Sequence, residues 1–318
     1  MRTTISKKII VLVGLVCMCL ALPVDVPAKD RLRIEVYGGM SFLNPKDLNM
    51  LSKAEEEYTD VYFIQRQLYK QGYFVNEFPR IFSAFPAGLR LKYRFAKKLS
   101  FSIGVEGFYQ KVKDSLEGTM SYSGTDWFDN QTKTYDPFQI GLSGYSALAG
   151  LHLSFPIKGS TELEIGGAAG WTWGQFDFTN TWAHTIHFWI EDYWEFRTQD
   201  GGTLTGDGSG NGFTARVMLR LNRSLGKRLG FFVEASGTTC RLKSLFGGGS
   251  ETRLGIPGEA TWEGTWGIKK EDLDFEGQSK SIKVPSNYWE GWPADQRDRD
   301  FSLNLSRVQF VIGFYIRL

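Results

Sequence analysis

Apolar and polar residues alternate with period two along eight stretches of this chain, most cleanly in the last. There Val308, Phe310, Ile312, Phe314, Ile316 and Leu318 share one face of a strand. Arg307, Gln309, Val311, Gly313, Tyr315 and Arg317 share the other, because successive strand side chains point to opposite sides. A strand apolar on one side and charged on the other suits a sheet with hydrocarbon outside and a polar interior. The other seven stretches are 31–42, 87–96, 99–111, 138–155, 161–178, 212–222 and 228–241. In the first, Leu32, Ile34 and Val36 oppose Arg33, Glu35 and Tyr37. In 138–155 the phase shifts near Ser143 and Gly144, which reads as a bulge. Each stretch reaches the ~9–11 residues that a tilted membrane strand needs.

The connections sort by length. Segments 97–98, 157–160 and 223–227 are short, whereas 44–86, 112–137, 179–211 and 243–300 are long, and the two kinds alternate strictly. An all-β, up-and-down antiparallel barrel of eight transmembrane strands has this pattern, with short turns on one side and long loops on the other. Ten strands are the alternative, with 182–196 and 260–269 added; the eight-strand reading makes these extensions above the membrane. Within the first long loop, Leu48, Leu51, Ala54, Tyr58, Val61, Tyr62 and Leu68 recur at helical spacing. With Asn44 and Pro45 as start and Gly72 as stop, a loop helix over 46–71 is expected, packing on its own loop or on the barrel rim, with lying in the interface or capping the lumen as the alternative.

The beginning of the chain agrees. Arg2, Lys7 and Lys8 precede an apolar run from Ile9 to Leu22, and Pro23, Pro27 and Ala28 follow, as in a cleaved secretory signal. At about 14 residues the run falls short of the ~20 of a spanning helix. Residues 1–28 are therefore read as a signal peptide and 29–318 as one barrel domain. Removing the signal takes away three cations and Asp25, so the formal charge falls from +2 to about zero. The remaining chain keeps Cys240 alone of the three cysteines, which excludes an internal disulfide. No clustered basic face suggests nucleic acid. The 36 Gly, 24 Phe, 13 Tyr and 10 Trp suit a barrel with aromatic girdles, and also a secreted β-sandwich.

If the strands face as assigned, the interior receives Arg33, Glu35, Arg90, Lys92, Arg94, Glu106, Glu162, Glu164, Arg216, Arg220, Glu234 and Arg307, with His152, Gln309 and Arg317. Charges out of water must be paired or solvated, so this set reads as an interior salt-bridge network, with a narrow polar conduit as the functional alternative. The lipid face of the closing strand is Phe310, Ile312, Phe314, Ile316 and Leu318.

Signals for catalysis are weak. His184 and His187 are three apart in a strand-like segment and so point to opposite faces, which disfavours a shared metal; Glu191 and Asp192 lie nearby. No standard metalloprotease, hydrolase or nucleotide motif occurs. No catalytic residue, metal or cofactor is assigned. Trp262, Trp266, Trp289 and Trp292 make the last long connection the first place to look for recognition.

The signal, strand number, loop alternation and closing strand together resemble the small bacterial outer-membrane β-barrels of the OmpA-domain, OmpX and OmpW type. Those barrels usually end on Phe or Trp, where this chain has Leu318. The resemblance implies an outer-membrane location, both termini in the periplasm, insertion by the barrel-assembly machinery, and contact with outer-membrane lipid. It implies a non-enzymatic structural role or one exercised through the loops on an extracellular ligand. A porin-like narrow channel, or a carrier for small apolar molecules, is the alternative, as the OmpW likeness implies. A surface enzyme comes third: Asp126 and Asp129 faintly echo the paired aspartates of the omptin proteases, but no Asp-x-His follows.

Overall fold

The computed structural model describes residues 31–59, 71–75, 78–123, 129–190, 194–275, 278–288 and 297–318. The signal segment, Asp126, Glu191, Asp192, Trp289 and Trp292 lie outside them. The elements in chain order are β1 (Leu32–Leu43), α1 (Lys46–Thr59), β2 (Gln71–Val75), β3 (Ser83–Arg94), β4 (Leu99–Ser123), β5 (Asp129–Lys158), β6 (Thr161–Ile190) and β7 (Trp194–Ser224). Then come β8 (Leu229–Lys243), β9 (Phe246–Arg253), β10 (Ile256–Phe275), β11 (Gln278–Tyr288), β12 (Arg297–Asp300), β13 (Ser302–Asn304) and β14 (Arg307–Arg317).

Eight of these strands form a ring in the order β7, β6, β5, β4, β3, β1, β14, β8 and back to β7, the first and last strands of the chain meeting at the β1–β14 pairing. All the ring pairings are antiparallel. The expected ring of eight is therefore the observed one, and ten ring strands are ruled out. Residues 182–190 and 194–196 belong to the ends of β6 and β7, while 260–269 lies in β10, outside the ring.

Above the ring the expected loops are largely strand. β4–β7 stay paired with one another far beyond the ends of β3 and β8, and β9, β10 and β11 continue the sheet from β7. β7 is 31 residues long. Its part beyond Thr214, where pairing with β8 ends, extends roughly 65 Å at ~3.3 Å per residue.

β7 changes partner from β8 to β9 where the chain turns at Ser244, whose φ is 54°. That left-handed conformation costs a residue with a Cβ about 1–2 kcal/mol. Ser244→Gly is expected to leave stability unchanged or raise it by up to about 1 kcal/mol, and Ser244→Val to lower it by about 1 kcal/mol or more. Denaturant titration of the refolded protein measures both.

The outer wall of the ring is apolar and exposed. Val36, Leu89, Val105, Leu151, Ile165, Val217, Val233 and Phe314 represent its eight strands. The run without a charged outward residue is roughly ten residues per strand, or about 25 Å in height for strands tilted by ~40°.

At Ser143 and Gly144 the structure corrects the expected bulge. Pairing of β5 with β4 and β6 passes through these residues without a shift. What inverts is the environment. Below this level the outward residues of β5 are apolar (Tyr145, Leu151 and Leu153 are exposed) and the inward Ser146 and His152 are polar. Above it the inward Phe138, Ile140 and Leu142 are buried, and Gln139 and Ser143 face out. β6 inverts likewise, with Phe176 and Phe178 inside, Gln175 and Asp177 exposed, and Thr179 half-buried on the same outward face.

α1 starts where Asn44 and Pro45 suggest, but the helix expected over 46–71 does not reach its far end, since Gln71 opens β2. Residues 60–70 lie outside the described ones. Leu48, Leu51 and Ala54 of α1 are buried, and its polar side chains tie down the neighbouring backbone. Asn49 donates to Ile81 O at 2.9 Å and accepts from Ile81 N at 2.8 Å, and Ser52 donates to Pro79 O at 2.6 Å. Asp47 accepts from the amide and hydroxyl of Ser302 at 2.9 and 3.1 Å. The last strand, expected to follow directly on the long connection that ends at 300, is broken into β13 and β14, the former beneath the helix.

Candidate functional site

The inward side chains of the ring meet in levels, each spanning strands that are not neighbours. Nearest the short turns, Arg94 of β3 donates to Glu162 of β6 at 2.8 and 3.3 Å, and Arg33 stands 3.6 Å from the same carboxylate. The Arg33 and Arg317 guanidiniums lie 4.9 and 5.5 Å from the centre of the Tyr315 ring. One level up, Lys92 of β3 pairs with Glu164 of β6. Glu164 also accepts from Asn222 at 3.1 Å and lies 3.0 Å from His152 Nδ1. His152 Nε2 is 2.7 Å from the Ser102 hydroxyl.

At the third level Glu35 of β1 and Glu234 of β8 share two guanidiniums. Arg220 donates to Glu35 at 2.8 and 2.9 Å and to Glu234 at 3.0 Å through Nε. Arg90 donates to Glu234 at 3.0 Å and to Glu35 at 3.4 Å. Flat aromatic faces support both cations, Phe232 at 4.1 Å from Arg220 and Tyr37 at 5.0 Å from Arg90. The glycines opposite make room: a side chain at Gly88 would collide with the Tyr37 ring, and one at Gly230 with Tyr315.

The top level is built on Glu106 of β4. Its carboxylate accepts from Arg216 at 2.9 and 2.5 Å, Arg307 at 2.6 Å, Gln309 at 3.1 Å and the Tyr37 hydroxyl at 3.2 Å. Arg216 also donates to Thr238, and Arg307 to Gln309.

The structure thus brings the inward carboxylates Glu35, Glu106, Glu162, Glu164 and Glu234 each against at least two donors. Arg33, Arg90, Lys92, Arg216, Arg220 and Arg307 are buried; Arg94, Glu162 and Arg317 are half-buried at the turn end. On the closing strand, Phe310, Ile312, Phe314, Ile316 and Leu318 are exposed, while Arg307, Gln309, Val311 and Tyr315 are buried.

Above Glu106 the interior turns apolar. Phe108, Leu142, Phe176, Cys240, Leu242, Phe301, Leu303 and Leu305 form a continuous buried cluster with Leu48 and Leu51 of α1. Arg307 marks the boundary, its guanidinium 4.8 Å from the Phe108 ring. Phe108 shares a face with Glu106, and Phe232 one with Glu234, so strand parity was the signal that could have placed both inside.

Trp266, offered as a recognition residue, is instead part of this cluster. It is buried against Phe176, Phe178 and Phe301, and its indole donates to Asp207 O at 2.8 Å. Trp262 is half-buried. The backbone places His184 and His187 on β6 and Asp129 at the start of β5. No group of three metal-ligating side chains occurs among the described residues.

No protein-family model matches the chain, and no curated protein does. Among solved structures it is similar to the outer membrane protein OprG from Pseudomonas aeruginosa, at 11% identity and a TM-score of 0.31, over 91% of this chain and 97% of that one. It is also similar to Ail, the attachment invasion locus protein of Yersinia pestis, at 11% identity and a TM-score of 0.25, over 91% and 99% of the two chains. The toluene transporter TbuX of Ralstonia pickettii gives 10% identity and a TM-score of 0.14, over 94% and 93%.

Proposed function

We propose that the chain is an integral outer-membrane β-barrel with a closed lumen, a non-enzymatic anchor that presents its tall sheet at the cell surface. The observation that carries this reading is the filled interior: four levels of paired charges, then an apolar core under α1. A conduit needs a continuous polar path, and among the described residues the interior above Glu106 is occupied by the buried apolar cluster. The buried carboxylates at Glu35, Glu106, Glu164 and Glu234 are engaged by donors and withdrawn from solvent, which argues against acid–base work there.

Membrane insertion is supported by the height of the uncharged outer wall and by its upper edge, where the facing of apolar residues inverts. Hydrocarbon outside requires apolar residues outward; water outside requires them inward. Residues 1–28 serve as the export signal on this reading, and the barrel-assembly machinery inserts the chain. The short-turn end, where both described termini lie, faces the periplasm. Its exposed Lys97, Lys98, Lys158, Arg223, Lys227 and Arg228 suit the phosphates of the inner leaflet, and exposed Ile157 and Leu225 sit beside them.

The test is the conductance of refolded protein in planar bilayers, once heat-modifiable gel migration shows a folded barrel. The expected result is silence. Reproducible steps would overturn the closed-lumen reading and make Arg90 and Arg216 the cations to neutralise.

A further inference from the structure

The outer wall carries a depression of about 1000 Å³ at the level where the sheet inverts. The register sets its floor: Ser143, Gln175 and Ser209 are successive cross-strand partners, all facing out and all polar. Exposed aromatic side chains bound it. Tyr109 pairs with Ser143 on one side, and Phe246 with Ser209 on the other. Tyr145 and Trp173 form the lower wall, stacked with centroids 5.0 Å apart and planes at 17°. Lys243, exposed at the end of β8, completes the lining.

A polar floor inside aromatic walls suits neither an acyl chain, which leaves the floor unsatisfied, nor a free ion, which does not use the walls. It suits a sugar ring, with hydroxyls to bond and an apolar C–H face to stack. The vertical order selects its carrier. Directly below lies the apolar wall, beside the floor lies a lysine, and above it the outward face is polar. A molecule with acyl chains, then sugar, then phosphate follows the same order.

We propose that this depression binds the phosphorylated sugar headgroup of a glycolipid in the surface leaflet, with its chains along the wall below Trp173 and a phosphate at Lys243. The proposal rests on the membrane reading above. Tyr145 and Trp173 stack on the sugar, while Gln175 and the two serines meet its hydroxyls.

The experiment uses the full barrel refolded into phosphatidylcholine vesicles containing small equal fractions of a phosphorylated diglucosamine glycolipid and phosphatidylglycerol. The lipid that stays with the protein on gentle extraction is measured by native mass spectrometry. Wild type should retain the glycolipid about tenfold over phosphatidylglycerol, a preference that Ser209→Trp and Lys243→Glu each lower at least about fivefold. Both changed residues are exposed, and heat-modifiable migration reports whether each variant has folded. Equal retention of the two lipids by wild type overturns the proposal, as does a preference that both folded variants keep. Loss in Lys243→Glu alone also overturns it, because charge without sugar then explains the binding. Failure of wild type to insert at all sinks the membrane reading instead, so the two failures are distinct.

Discussion

Replacing Glu106 by Ala is expected to cost about 3–5 kcal/mol, the usual penalty for removing one partner of a buried ion pair. The carboxylate is 1% exposed and serves Arg216, Arg307, Gln309 and Tyr37 together. Its loss leaves two guanidiniums without a counter-charge beneath an apolar layer that water cannot easily enter. The neutral Gln variant should fare little better, because the shape survives and the charge does not. Adding Arg307→Met to the Ala variant should recover part of the loss by removing one orphaned cation. Urea titration of the refolded barrel in vesicles measures all three. A cost below about 1 kcal/mol for Glu106→Ala would mean that water reaches this level and the lumen is open.

Ile312→Arg is expected to cost about 2–4 kcal/mol in the same assay, and to slow insertion, because a cation on the lipid face near mid-membrane is poorly solvated. Ile312 is 61% exposed, so in water the substitution would cost almost nothing. Thr179→Arg, on an outward position above the inversion, should stay within about 0.5 kcal/mol. The contrast between the two arginines measures where hydrocarbon ends. Equal costs would show that the outer wall is not embedded.

The ring was legible in the chain because two environments imposed one period. Leu163 and Ile165 alternate with Glu162 and Glu164 as they do because one side meets apolar surroundings and the other meets Lys92 and Arg94. Once strand facing was fixed, the interior charges followed by parity alone. Which charges pair did not follow, since Arg90 and Glu234 are 144 residues apart and meet only across the closed ring. The upper part was hard to read for a different reason. Around Ser143 the strand stays regular while its surroundings exchange sides, and a sequence that keeps its strand but changes phase imitates a bulge. Beyond Gly206 in β7, glycine and threonine dilute the alternation, so paired strand read as loop. The helix lost its far end because the apolar spacing that continues past Tyr58 says nothing about what the chain must next pair with.

The contact between Asp47 and Ser302 joins the segment just after β1 to the one just before β14, and these two strands are the seam at which the ring closes. The helix is therefore a latch across that seam, set from the side opposite the short turns. Because it joins residues 255 apart in sequence, it is expected to form only as the first and last strands meet, and to hold them together afterwards. An interaction made that late slows opening more than it speeds closing. The barrel should owe its persistence less to the depth of its energy well than to how rarely the seam comes apart.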